Sequence, residues 1–455
     1  MKRLLPVMLC AVTSFCVGQE VRLSVPCTRL TLPNGLNVIL HEDHTTPTVT
    51  VNLWYRVGSA REKPGRTGFA HLFEHIMFEG SQHVAEGKFD RWLEAVGGDN
   101  NASTAEDRTN YYIMAPVNAL ELALFLESDR MGFLLPAMSP ATVDGQRDVV
   151  KNERRQGLEN QPYGMVEVIM SENMFPADHP YHWPVIGSME DLSAASYGDV
   201  VEFFKKYYTT GNASLCVAGD IDAAKTASLV ERWFADVAGG PAPRPQTPEV
   251  AILSGERRLL YQDNVQLPRL YMSWHTPSLF SPGDAEMDLL ASILSAGKNS
   301  RLYRRLVYEL QIAQDVFAFQ QSMDLSSLFQ IVATAREGHT LGEIEKVIQE
   351  EIDRLKHHAP ELRELQRAVN QREAGYLSAM ENLFRKADLL NAYYTRTGNP
   401  DYFNEDLSRY RAVDPGDLQT MAQLYLKDDA RLVLCVVPKG HSELASGDGK
   451  EVHPK

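Results

Sequence analysis

The stretch GFAHLFEHIMFEGS, residues 68–81, sets His71, Glu74 and His75 inside a hydrophobic run. Phe69, Leu72, Phe73, Ile76 and Met77 recur at i, i+3, i+4, i+7 and i+8, the spacing of a helix with one buried stripe. The three ionisable residues then share the other side. Two imidazoles at i and i+4 lie one above the other and can reach one metal ion, with Glu74 beside them and not required as a ligand. The bland reading of HLFEH alone is a pair of surface histidines with a solvated glutamate, so the rest of the chain must decide.

The chain has 455 residues, 44% of them hydrophobic and 23% charged, which is globular composition with length for two or more domains. Its net charge of -15, with no basic run, opposes an extended phosphate backbone and excludes nucleic acid as the expected partner. MKRLLPVMLCAVTSFCVGQE opens with Lys2 and Arg3, continues apolar from Leu4 to Val17 and ends on small residues. Residues 1–18 read as a secretory signal, so the chain is expected to be exported, periplasmic or secreted, with no integral membrane segment in its mature part. Outside that segment only Cys27, Cys216 and Cys435 remain, an odd number that gives no disulfide framework; Cys216 and Cys435 lie in apolar, strand-like runs as core residues do.

GGPAPRPQTPEVA, residues 239–251, holds four prolines and no apolar periodicity and reads as a linker. Before it, LTLPNGLNVILHED and TVTVNLWYRVGS read as strands, and VVEFFKKYYTTGNASLCVAGD as a helix, a turn and a strand. After it, RLYMSWHT, EMDLLASILSAG and DLQTMAQLYLKDDARLVLCVVPKG repeat that order, without HLFEH. The expected architecture is α+β: two homologous domains, 20–238 and 252–440, each a mainly antiparallel sheet covered by helices, then a flexible polar tail over 441–455.

A catalytic zinc takes three protein ligands, so two histidines need one more donor. RDVVKNERRQGLEN offers Glu153, following Val149 and Val150 on a predicted helix. With H-x-x-E-H followed by a glutamate after 77 intervening residues, the chain resembles the inverzincins, the pitrilysin, insulin-degrading and mitochondrial-processing-peptidase group. WYRVGSAREKPGRTGFAHLFEHIMFEGS, GGDNNASTAEDRTNYY and HPYHWPVIG are similar to that family's landmarks, and the resemblance runs from LPNGLNVIL to LVLCVVP. It implies zinc held by His71, His75 and Glu153, Glu74 as general base, and two domains forming half of a clamshell around an unfolded peptide. It also implies that the peptide pairs with an edge strand in NNASTAEDRTNYYIMAP, with Asn101 and Ala102 near the cleaved bond. In ADHPYHWP, His179 and His182 offer a weaker second metal pair in a proline-bounded loop.

The chain departs from the family in two places. Where active single-chain relatives carry an arginine and, seven residues on, a tyrosine that reach the substrate carbonyl, LVYELQIAQDV has Val307 and Gln314, with Arg304, Arg305 and Tyr308 nearby. Gln146 stands where many relatives carry a second glutamate. The expectation is a zinc endopeptidase or oligopeptidase paired with a companion subunit of the same fold that supplies the arginine and tyrosine. The alternatives are a non-catalytic scaffold subunit of this fold and a targeting-sequence processing peptidase.

Overall fold

The computed structural model describes residues 22–247 and 251–454, so the predicted signal over 1–18 and part of the linker lie outside the described residues. The first sheet is built from β1 (Thr28–Thr31), β2 (Asn37–Glu42), β3 (Thr48–Tyr55), β4 (Asp99–Thr104), β5 (Thr109–Pro116) and β6 (Ala213–Gly219), in the spatial order β1-β2-β6-β3-β5-β4. The second uses β7 (Arg257–Asp263), β8 (Arg269–Thr276), β9 (Ala313–Gln321), β10 (Ser327–Ala335), β11 (Leu432–Pro438) and β12 (Lys450–Glu451), in the order β12-β7-β11-β8-β10-β9. Each is mainly antiparallel, with parallel pairing only of β2 with β6, of β11 with β7 and of β12 with β7. The fold is α+β in two domains of the same sheet plan.

Helices cover both faces of each sheet, which is why β2, β6 and β11 are buried along nearly their whole length. On one face of the first sheet, Val51, Leu53, Tyr55, Tyr111 and Ile113 pack against Leu72, Phe73 and Ile76 of the helix Phe69–Ile76 and against Phe203 and Phe204. Leu72, Phe73 and Ile76 are fully buried, each worth about 1.5–3 kcal/mol as an upper bound.

The opposite faces are covered by exchange. Ala387 and Leu390 of the helix Leu383–Thr397, from beyond the linker, pack on Ile39, Cys216 and Ala218 of the first sheet. In return Val166, Ile169 and Met170 of the helix Val166–Met174 pack on Leu259, Leu434 and Val436 of the second. All strands of the first sheet precede the linker and all strands of the second follow it, but these two helices do not respect that division.

The tail corrects the sequence reading. Instead of an irregular segment, residues 441–454 carry a short turn at Ser442–Leu444 and then β12, which pairs with Leu259 and Leu260, and Val452 N–H donates to the Leu260 carbonyl at 2.9 Å. β7 would otherwise present a row of unpaired backbone groups, and a polar segment can pair with it through its main chain alone. Cys27, Cys216 and Cys435 are free thiols. Among the described residues no helix is long and apolar enough to cross a membrane.

Candidate metal centre

The Phe69–Ile76 helix starts at Gly68, whose φ of +86° a side chain would resist. A Cβ on Gly187, in the HPYHWPVIG landmark, would lie 2.5 Å from Gly68 Cα, so both glycines permit one close backbone crossing. No side chain at the cap position holds the first turn. The buried Glu62 carboxylate does so, accepting from Gly68 N–H at 2.9 Å and Ala70 N–H at 2.8 Å. Burial pushes the Glu62 carboxyl up to about 8, against the downward pull of those backbone donors.

Glu153 lies near the end of the helix Pro140–Arg154, which Ser139 caps through Thr142 N–H and Pro140 enters at the first position. Beyond it the chain makes one wider turn over Arg155–Glu159. Arg154, fully buried, donates from Nε to the Gly187 carbonyl at 3.1 Å and pairs with Glu159. The glycine that packs on the first helix therefore also anchors the residue next to Glu153.

The Nε2 atoms of His71 and His75 lie 3.8 and 3.2 Å from Glu153 Oε2, and the three candidate ligand atoms fall within 4.8 Å of one another. Ligands about 2.0–2.2 Å from a tetrahedral zinc stand roughly 3.3–3.6 Å apart, so these separations fit that ion with little adjustment. The rings are perpendicular, with centroids 4.9 Å apart. Burial, then the neighbouring His75, lowers the His71 imidazole to about 4, leaving it neutral with a lone pair to give at neutral pH. His71 Nδ1 is buried without a hydrogen-bond partner among the described residues.

Among the described residues Glu74 belongs to no ion pair. Its Oε2 accepts from Thr104 Oγ1, on β4, at 2.6 Å, and burial raises its carboxyl above the ordinary range against that hydrogen bond. A carboxylate with a raised pKa beside a candidate metal site has the makings of a proton acceptor.

β4 is the outer strand of its sheet, with Asn101 opposite Tyr112 and Ala102 opposite Tyr111. Ala102 N–H donates to the Asn101 side chain at 2.8 Å. The edge is thus open, with one of its donors occupied from within.

His179 and His182 do not form a second centre. The His182 ring bonds the Phe175 carbonyl, His179 accepts from Tyr181 N–H, and the only described group of three possible ligands is His71, His75 and Glu153. Val307 is partly buried against the second core and Gln314 is exposed at the start of β9. Of their neighbours, Arg305 is tied to Glu350 and Glu351, Arg304 to Glu309, and Tyr308 is exposed. Gln146 donates to Glu79 at 2.6 Å. Sequence reading missed Thr104, Glu62 and Arg154. Thr104 lay within the quoted edge strand, but nothing in its spacing points to Glu74, and the other two act through backbone contacts that periodicity does not register.

Two family models match the chain: insulinase, peptidase family M16, over residues 37–179, and the peptidase M16 inactive domain over residues 194–372. The zinc protease PqqE of Helicobacter pylori is 27% identical over 416 residues, covering 90% of this chain and 92% of that protein. A probable mitochondrial-processing peptidase subunit beta of Arabidopsis thaliana is 23% identical over 428 residues, 91% of this chain and 79% of that one. The crystal structure of a protease from Helicobacter pylori superimposes with a TM-score of 0.85 at 26% identity, covering 91% of this chain and all of that one. With the HLFEH helix and Glu153 brought together in the domain that the insulinase model covers, the chain belongs to the pitrilysin/insulinase-type peptidase family, in its two-domain form.

Proposed function

We propose that the chain is a zinc endopeptidase acting on unfolded peptides, as the catalytic partner in a heterodimer. The observation that carries this reading is the convergence of His71, His75 and Glu153 with Glu74 free beside them and held by Thr104. His71, His75 and Glu153 are the residues that would hold zinc. Zinc there would act as a Lewis acid on the scissile carbonyl. The open edge of β4 around Asn101 and Ala102 takes the peptide by main-chain pairing, which favours extended segments and displaces the Asn101 side chain from Ala102 N–H. Glu74 takes a proton from the attacking water and passes it to the leaving amine, and the Thr104 hydroxyl fixes which oxygen does so.

The absence of an arginine and tyrosine at Val307 and Gln314 supports a companion subunit of the same fold that supplies them. Lost donors at a developing oxyanion typically cost about 100 to 1000 fold in turnover, so the isolated chain should be slow. The signal-like composition of residues 1–18 supports an exported protein. The test is metal analysis and peptide hydrolysis of the parent beside Glu74→Gln. One zinc in both, with hydrolysis reduced by about 100 to 10,000 fold in the variant, is expected. Equal hydrolysis by the two proteins would remove Glu74 from its role, and zinc bound without hydrolysis, even with the companion present, would favour a scaffold subunit.

A further inference from the structure

Where the two domains meet, a cavity of about 470 Å³ opens between the end of β3, the β4–β5 turn, the linker and the end of the Leu383–Thr397 helix. It lies apart from the candidate ligands and is lined by Arg56, Arg61, Arg108 and Arg396 against two carboxyl groups, Asp107 and Asp324. Four guanidinium groups facing two acids is unexpected in a chain of net charge -15.

The acids are already engaged. Asp324 is paired with Arg396 Nε at 2.8 Å, and Asp107 accepts from Tyr181 Oη at 2.7 Å and from Asp324 N–H at 3.0 Å. Arg61 and Arg108 each donate only through Nη1, to the Arg244 carbonyl at 2.8 Å and to the Ser103 carbonyl at 2.7 Å and Asn110 Oδ1 at 3.0 Å. Among the described residues their Nε–Nη2 edges have no hydrogen-bond partner, and the exposed Arg56 side chain makes no hydrogen bond. That edge is the fork that grips two oxygens of one oxyanion. Arg108 and Arg396 are also held in place over the Trp54 ring, 5.5 and 5.6 Å from its centroid. Partial desolvation lowers the exposed Arg56 and the half-buried Arg108 guanidinium groups, with Asp324 opposing it at Arg56 and Asp388 at Arg108, and the charge of Arg396 adding to it at both.

We propose that this interdomain cavity binds an oxyanion group, a carboxylate or a phosphate, through Arg56 with Arg61 and Arg108. Because Arg108 lies four residues from Thr104 on the same hairpin, an anion there would hold the β4–β5 turn against the end of β3. The inference does not depend on the chain being a peptidase.

The experiment titrates inorganic phosphate and succinate separately, by calorimetry at constant ionic strength, into the parent, His75→Ala, Arg56→Lys and Arg56→Gln. Saturable binding of one anion per chain is expected. It should be unchanged in His75→Ala, which excludes the metal centre, and weakened about tenfold or more in Arg56→Gln, the scale of one charge-assisted fork. Arg56→Lys, which keeps the charge and loses the fork, should fall between. Tighter phosphate points to a free phosphate or phosphoryl group, and tighter succinate to a carboxylate. No binding of either anion at about 10 mM, tenfold above a millimolar constant, or equal binding by Arg56→Gln, overturns the proposal.

Discussion

The two domains share one sheet plan and differ at the first helix laid on it. Both helices start at a left-handed glycine, Gly68 in the first domain and Gly283 in the second. Counting from it, the first domain has His71, Glu74 and His75 at the third, sixth and seventh places, where the second has Glu286, Leu289 and Leu290. Leu289 and Leu290 are buried in the second core, whereas Glu74 and His75 are half-buried. The first helix has 8 residues and the second 12. A chemical site therefore needs no separate scaffold here, only polar residues on one helical face, the space not to bury them, and a carboxylate brought to them by a second helix.

The strongest way to break the contrast is to give the first domain the second domain's residue. His75→Leu should abolish stoichiometric zinc and with it peptide hydrolysis, because two ligands remain of three. Metal analysis and a peptide assay on the folded variant would read this, and zinc retained at one per chain would contradict the ligand set.

The next largest effect concerns what the domains share. Leu390→Ala and Ile169→Ala remove mirror-image contacts of the exchanged helices, and each should cost about 2–5 kcal/mol. Both should lower the denaturation midpoint of a single cooperative transition. Two separate transitions would show that the exchange does not couple the domains.

A smaller effect comes from the junction. Burial, then the charge of Asp324, raises the Asp107 carboxyl to about 7. An acid whose folded pKa is raised keeps its proton in the native state between its unfolded value, near 4, and about 7, so the folded state binds more protons there. Stability should then fall as pH rises across that window, by at most about 1.4 kcal/mol per pH unit. Asp107→Asn should flatten that part of the stability–pH curve, and an unchanged slope would assign it to other groups. The smallest expected effect is that of β12. Ending the chain at residue 440 should leave hydrolysis unchanged and cost roughly 1–3 kcal/mol, for the lost edge hydrogen bonds and the contacts of Leu444, Ala445 and Val452 with the cores, measurable by denaturant unfolding.

The sequence carried most of the strands and pointed to His71, His75 and Glu153 as the three residues that meet, because apolar periodicity and the i, i+4 spacing are local signals. Asn37–Glu42, Thr48–Tyr55 and Arg269–Thr276 fall inside the stretches read as strands, and Glu153 meets His71 and His75 from a helix many residues away. What escaped were partnerships made through the main chain. Glu62 caps a helix from six residues before Gly68, outside the usual capping spacing, and Arg154 reads as one more charged residue beside Glu153. β12 is polar and looked irregular because an edge strand can be held by its backbone alone. The helix exchange was hidden for a different reason: an amphipathic pattern shows that a helix has an apolar face, not which sheet receives it.

That exchange sets an order on the protein's birth. The face of the first sheet that displays Ile39, Cys216 and Ala218 is complete once Gly219 has been made, yet its cover begins only at Leu383, 164 residues later. At roughly 5–20 residues per second of synthesis, that apolar face waits on the order of 8–30 seconds for its partner. Over that interval a nascent chain carries an uncovered apolar surface that chaperones can hold or neighbouring chains can stick to. The same dependence means that a fragment ended at the linker would have one face of its sheet bare.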